Sequence, residues 1–319
     1  MILFSDLHLK PDTEEVCFKV LDGIKEAALN KLGDTKIGFL GDFWHIRYNV
    51  PVSLLNKVRH TLLDWGNAGL EVIFLPGNHD QVDVAGSHAL EVFADLSHVR
   101  VYTEPQWDEH GLWVPYRKKT EDTQEALKLR KPKGAPSVLF IHAGVAGAAM
   151  NNGHTASEWD GIPLKWVSKF DQVFAGHWHR HQTIKNWTYC GSPWQTRADE
   201  YEQLKGFIHT LGGSWNFHPQ LWGPQYIKVE TLADLEKVLP GDKVRGKIPQ
   251  HLLMEMQEAL RDKGVEDVVL TPVEDTTIKD RLEVSLGGST TEFAEAYAKE
   301  FCGDLPIRDL MAVFAEFAV

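Results

Sequence analysis

Leu3-Phe4-Ser5 runs into Asp6-Leu7-His8, and Phe39-Leu40-Gly41 runs into Asp42. Phe74-Leu75-Pro76-Gly77 leads to Asn78-His79-Asp80, Phe140-Ile141 to His142, and Phe174-Ala175-Gly176 to His177-Trp178-His179. Each time an apolar run ends, a residue type that ligates metal follows. One such string alone is weak, because a lone histidine is more often structural; five in order are hard to assign to unrelated polar residues. Imidazoles, carboxylates and an amide together suit a borderline divalent cation such as Mn, Fe, Co or Zn. None of these residues is a cysteine, which disfavours a closed structural zinc site. Asp6, His8, Asp42, Asn78, His142, His177 and His179 are too many ligands for one ion that must keep a position open. They suit two ions sharing a carboxylate, about 3.5–4 Å apart, which can activate a bridging water and clamp phosphate oxygens during in-line displacement.

For these residues to meet, the runs must be strands with their ends side by side. Ile2–Ser5, Ile37–Leu40, Glu71–Leu75, Val99–Tyr102, Ser137–Ile141 and Gln172–Ala175 read as strands, with helical stretches over about 13–32 and 51–66. That is the βαβ rhythm of an α/β fold, whose sites lie outside the carboxyl ends of the strands. Gly41, Gly77 and Gly176 precede ligands, where sharp turns and close backbone approach are needed. The i, i+2 spacing of Asp6/His8 and His177/His179 places each pair on one side of an extended chain. Gln182–Tyr189 and Gly206–Asn216 read as further strands without helices between them. After Trp222-Gly223-Pro224 the pattern restarts. Strands are expected at Tyr226–Glu230, Lys243–Ile248 and Val268–Thr271, and helices at Leu232–Leu239, His251–Lys263, Thr290–Phe301 and Ile307–Phe317. We therefore expect two domains, 1–224 and 225–319, the second a smaller α/β unit.

The series DxH, GD, GNHD, H and GHxH resembles the calcineurin-like metallophosphoesterases over residues 1 to about 220. By that resemblance the fold is a two-sheet α/β sandwich. Asp6, His8, Asp42 and His179 would hold one metal, and Asp42, Asn78, His142 and His177 the other, with Asp42 bridging. His79 would stand by the scissile phosphate as proton donor or transition-state stabiliser, and Asp80 would orient its ring; a histidine suits the task because it titrates near neutrality. Asp42-Phe43-Trp44-His45 and Tyr189-Cys190-Gly191-Ser192-Pro193, with Glu202 and Lys205-Gly206-Phe207 after it, narrow the resemblance to the Mre11/SbcD DNA nucleases. There the histidine matching His45 supports exonuclease action, and a small second domain caps the DNA groove. The resemblance implies a two-metal DNA exonuclease, with endonuclease action possible, that takes manganese first and Fe, Co or Zn as alternatives. It also implies a role in DNA repair and recombination, a homodimer and a Rad50/SbcC-type ATPase partner. Such proteins usually continue into helices that bind the ATPase; Thr290–Phe317 is either a reduced version of these or the end of the domain. The alternative on the same scaffold is a small-molecule phosphodiesterase or a phosphoprotein phosphatase, and a third reading is a non-catalytic scaffold.

The bulk numbers fit an ordinary globular protein: 319 residues, 43% hydrophobic and 24% charged. No apolar run approaches the roughly 18 residues of a membrane span. A cleaved leader would remove Asp6, so a cytoplasmic location without membrane association is expected. Cys17, Cys190 and Cys302 are dispersed and read as free thiols. A net charge of −12 excludes an all-basic surface but not a local basic patch. The segment 116–134 supplies one: Arg117, Lys118, Lys119, Lys128, Arg130, Lys131 and Lys133 against three acidic residues. It could contact a phosphate backbone or be a solvated helix and loop. Trp44 and Trp178, inside the motifs, could stack on bases.

Overall fold

The computed structural model describes residues 1–45, 49–82, 88–151 and 153–273. The helices expected at Thr290–Phe301 and Ile307–Phe317, and Cys302, lie outside the described residues. The chain divides into two compact units, Met1–Ile227 and Lys228 onward.

Alternating apolar residues build the first unit as two sheets with helices outside them. The first sheet is formed by β1 (Ile2–Phe4), β2 (Lys36–Phe39), β3 (Glu71–Phe74), β4 (Val99–Val101), β11 (Gly206–Leu211) and β12 (Ser214–Pro219), in the order β12-β11-β1-β2-β3-β4. β1 to β4 run parallel, and β11 closes on β1 antiparallel. The second sheet contains β5 (Gln106–Trp107), β6 (Leu112–Val114), β7 (Val138–His142), β8 (Gln172–Gly176), β9 (Gln182–Ile184) and β10 (Trp187–Tyr189), in the order β5-β6-β7-β8-β10-β9. Here β6, β7, β8 and β10 are parallel. The crossovers α1 (Glu14–Glu26, continued as a π-helix over Ala27–Leu32) and α2 (Val52–Asn67) bury Val20, Ile24, Leu54, Val58 and Trp65 against the outer face of the first sheet.

Period-two alternation sorts the core into layers. Ile2 and Phe4 face the helices, whereas Leu3 joins Leu40, Ile73, Trp113, Phe140 and Phe174 between the sheets. Trp113 stacks on Phe140 with ring centroids 4.1 Å apart. Behind the second sheet lies a third layer around Leu139, Ile141, Val173 and Tyr189, covered partly by α3 (Thr120–Leu127). Fully burying each of these large side chains contributes about 1.5–3 kcal/mol.

In the second unit, β13 (Tyr226–Val229), β14 (Lys243–Pro249) and β15 (Asp267–Val273) form a three-stranded sheet, with β14 and β15 parallel. α4 (Leu253–Asp262) connects them and buries Met256 and Leu260. The stretch expected as a helix over Leu232–Leu239 is a short 3₁₀ turn, Leu232–Lys237, whose start is capped by the Asp234 carboxylate. Among the described residues no helix is long and apolar enough to cross a membrane.

Cys17 and Cys190 are free and fully buried. Burial pushes the Cys17 thiol up to about 12 and Cys190 well above the ordinary range. Since the thiolate is the reactive form, Cys302→Ser protein is expected to show no thiol labelling at pH 8 when native and two labelled thiols after denaturation. Fast native labelling would contradict this packing.

Candidate metal centre

The parallel strands end side by side, and the chain turns sharply at each end. β1 leads to Asp6 and His8, β2 to Asp42, β3 to Asn78 and His79, β7 ends on His142, and β8 leads to His177. Four of these residues hold left-handed backbone: Asp6 at φ 54°, His8 at 52°, Asp42 at 59° and His177 at 105°. Such a conformation costs roughly 1–2 kcal/mol for a residue with a Cβ and persists only where its surroundings enforce it. Here the enforcement is a ladder between the loops: Asp6 N–H donates to Gly41 O at 2.9 Å, His8 N–H to Asp42 O at 3.1 Å and Leu9 N–H to Phe43 O at 2.8 Å. Asp6 and His8 thus converge through kinks rather than through the extended chain expected from their spacing.

The side chains gather in two adjoining groups. Asp6, His8 and His179 form one, and Asp42, His142 and His177 the other; within each, the ligand atoms all lie within 4.8 Å of one another. In the first, His8 Nε2 and His179 Nε2 are 3.0 Å apart, with Asp6 Oδ1 4.0 Å from the latter. In the second, Asn78 Oδ1 is 3.1 Å from His142 Nε2 and 3.0 Å from His177 Nδ1. Asp42 lies between them, with Oδ2 3.9 Å from His8 Nε2 and Oδ1 3.5 Å from His142 Nε2. Donors about 2.0–2.2 Å from a common ion stand roughly 3–3.5 Å apart along a coordination edge, so these spacings fit a divalent cation in each group.

Burial and the Asp42 carboxylate set the protonation of the ligand residues. Burial holds His8 well below its ordinary value and His177 down to about 3, so both imidazoles are neutral at pH 7, as metal ligation requires. Burial alone would lower His142 as well, but the Asp42 carboxylate outweighs it and lifts the ring to about 9. Burial also favours protonated Asp42, yet His142 holds that carboxyl below the usual range. Burial raises Asp6. Metal ligation at His142 therefore displaces a proton that Asp42 otherwise holds there.

Close approach explains two glycines. A Cβ on Gly77 would lie 2.2 Å from Asp42 Oδ1, and one on Gly41, at φ 95°, 2.1 Å from His142 Nδ1. Asp80 acts on the same turn. Its carboxylate accepts N–H from Asp42 at 2.8 Å, Trp44 at 3.0 Å and Gly77 at 2.8 Å. Burial and the neighbouring Asp42 charge raise Asp80 to about 7 against the pull of these donors. The expectation that Asp80 orients the His79 ring is therefore corrected. His79 Nδ1 instead meets the His45 carbonyl at 3.0 Å, while Asp80 clamps the backbone that carries Asp42.

A cavity of about 240 Å³ opens over both groups, lined also by His79, His45, Lys10, Asn151, Trp178 and Arg197. His45 is exposed, its ring stacked with His79 at 5.4 Å and its Nδ1 3.3 Å from His8 Nδ1. Trp178 borders the cavity, but Trp44 is buried against Phe43 and Phe93 and has no face to offer a base. Of the basic segment, Arg117 pairs with Glu104 and Lys128 with Glu125. Lys118, Lys119, Arg130, Lys131 and Lys133 are exposed, and none of the segment lines the cavity. Sequence reasoning missed Glu200, whose Oε1 lies 2.6 Å from His179 Nδ1. It singled out Glu202 in that stretch instead, which is exposed at φ 61°. It also missed Asn151, which accepts the His179 N–H at 2.7 Å.

The class defined by this geometry is a two-sheet α/β sandwich with buried Asp/His groups at its strand ends that could hold metal. No family model matches the chain. Among characterised proteins the chain is similar to Exonuclease subunit 1 of Enterobacteria phage T4, at 27% identity over 238 residues, 71% of this chain and 67% of the relative. Among solved structures it is similar to the Pseudomonas putida nuclease MPE, at 16% identity and a TM-score of 0.27, covering 57% of this chain and 63% of that one.

Proposed function

We propose that this chain is a two-metal-dependent DNA nuclease, acting as an exonuclease and extending to endonuclease cleavage, of Mre11/SbcD type. The observation that carries the reading is Asp42: one buried carboxylate with an oxygen toward each ligand group. Asp6, His8, Asp42 and His179 would hold one ion, and Asp42, Asn78, His142 and His177 the other, manganese being the first choice by the resemblance and Fe, Co or Zn also suiting this donor set. Two bound divalent ions would lower the pKa of water and neutralise phosphoryl charge.

The protein's own groups do the rest. Asn78 and the four imidazoles fix where the phosphate must sit. His79, with Nδ1 turned to the His45 carbonyl, presents its other nitrogen to the cavity, placed to give a proton to the leaving oxygen. Lys10 and Arg197 in the wall put positive charge beside a phosphodiester backbone. Nucleic acid is preferred over a small ester because the T4 relative is an exonuclease subunit and because His45 stands exposed at the cavity rim. The same relative motivates a partner subunit, an ATPase by the resemblance. We assign residues 1–224 to the nuclease domain and 225–319 to a cap over the DNA. The exposed lysines and arginines of 117–133 are proposed to contact DNA away from the scissile bond.

The test is incubation of end-labelled single- and double-stranded DNA with and without Mn²⁺, beside bis(p-nitrophenyl) phosphate. Metal-dependent release of nucleotides from the DNA is expected. Cleavage of the small ester alone would transfer the chain to the small-molecule phosphodiesterases.

A further inference from the structure

Each imidazole of the two ligand groups has a back side, and the four differ. His142 Nδ1 lies 2.7 Å from the backbone carbonyl of Leu40. His8 Nδ1 faces another imidazole, His45. His177 directs Nδ1 itself at Asn78. His179 alone among the described ligand residues is backed by a buried carboxylate, Glu200.

The support for that carboxylate is extensive. Glu200 Oε1 also accepts from Thr196 Oγ1 at 2.8 Å, and Oε2 from Thr196 N–H at 2.8 Å and from Lys205 Nζ at 3.0 Å. Lys205 Nζ in turn donates to the His179 carbonyl at 2.9 Å and to Ser192 Oγ at 2.8 Å. His179 is thereby held at its N–H, its carbonyl and its ring Nδ1, by Asn151, Lys205 and Glu200 respectively. Glu200 is thus held between the His179 ring on one oxygen and the Lys205 ammonium on the other. A buried ion pair contributes little to stability compared with an apolar pair of the same volume, because desolvation offsets the attraction. Its presence beside a ligand residue therefore calls for another explanation.

We infer that Glu200, neutralised by Lys205, is the positioning residue for His179: it accepts the Nδ1–H hydrogen bond and leaves the Nε2 lone pair toward Asp6 and His8, so that an ion held there binds more tightly than it would without Glu200. An anionic acceptor behind a ligating imidazole fixes its tautomer and raises its basicity, and losing such a partner costs about 10–100-fold in metal affinity. The inference rests on the two-metal reading above.

Calorimetric and EPR titration of Mn²⁺ into wild-type and Glu200→Gln protein tests it, with thermal unfolding of both proteins in chelator. Glutamine keeps the volume, but its amide can donate to Nδ1 and so fix the opposite tautomer. One of two Mn²⁺ equivalents is expected to weaken about 10–100-fold while the other is unchanged. Raised Mn²⁺ should then recover cleavage, and Glu200→Asp should restore part of the affinity. Two equivalents bound as in the wild type, with only a lower unfolding temperature in chelator, would reduce Glu200 to a structural ion pair and overturn the inference. Wild-type protein that binds no Mn²⁺ would instead sink the two-metal reading itself. If Glu200→Gln does not fold, Thr196→Val removes a single hydroxyl from the network. A roughly 2–10-fold weakening of the same equivalent is expected, and unchanged affinity counts against the proposal.

Discussion

Asp42→Asn is expected to lower DNA cleavage by roughly 10³-fold or more, and Asp42→Ala to abolish it. Each oxygen of this carboxylate faces a different ligand group, which suits Asp42 to be the shared ligand. Losing its charge removes several kcal/mol of phosphoryl charge stabilisation at once, and each 1.36 kcal/mol is tenfold in rate. Asparagine is the cleaner variant. It tolerates the left-handed backbone that Asp42 adopts at φ 59°, and it can still accept the His79 N–H that Asp42 Oδ1 accepts at 2.8 Å. A loss with asparagine is therefore a loss of ligand charge and not of the turn. Alanine removes both and carries the backbone strain in addition. Metal content by elemental analysis should fall below two equivalents in both variants. Rates within tenfold of wild type, with two equivalents retained, would place the shared ligand elsewhere.

The strand ends were legible in the sequence because one physical rule produces them. A strand buried on both faces is an apolar run, and a site at its carboxyl end needs polar residues at once. Leu3-Phe4-Ser5-Asp6 and Phe140-Ile141-His142 show that transition without ambiguity. α1 and α2 were legible for the same reason, as long amphipathic crossovers between those runs. What escaped was short or non-local. β5 and β6 have two and three residues, too few for a period to show. Glu200 escaped because its meaning depends on His179, 21 residues earlier, and on Lys205 folding back over both. Trp44 was misread because a motif position says nothing about which way a ring turns, and Phe93 lies underneath it.

Asp80 and the strained turns belong together. The loops after β1 and β2 are held by backbone hydrogen bonds to each other, and Asp80 ties the β2 loop to the β3 loop through Asp42, Trp44 and Gly77 N–H groups. The left-handed kinks at Asp6, His8 and Asp42 are thus enforced by neighbouring strand ends. A site held in this way is preorganised, so little conformational ordering opposes metal or phosphate entry.

His79→Ala is the variant that separates metal binding from chemistry. The ring is outside the Asp6/His8/His179 and Asp42/His142/His177 groups and clusters instead with His8 and His45, its centroid 4.9 Å from the His8 ring. Its Nδ1–H donates to the His45 carbonyl, which leaves Nε2 as the nitrogen that would meet a substrate. The alanine variant keeps the backbone N–H that Asp42 accepts, so the ligand geometry survives. Two Mn²⁺ equivalents should still bind, while DNA cleavage falls about 10²–10⁴-fold, the range for loss of a general acid. The role predicts a further asymmetry. A nitrophenolate leaves readily without a proton and a deoxyribose oxygen does not, so the same variant should lose much less activity on bis(p-nitrophenyl) phosphate than on DNA. Equal losses on the two substrates would show that His79 stabilises the phosphoryl charge common to both. An unchanged rate on DNA would remove it from the chemistry, leaving the exposed His45 ring stacked against it as the remaining imidazole at the cavity mouth.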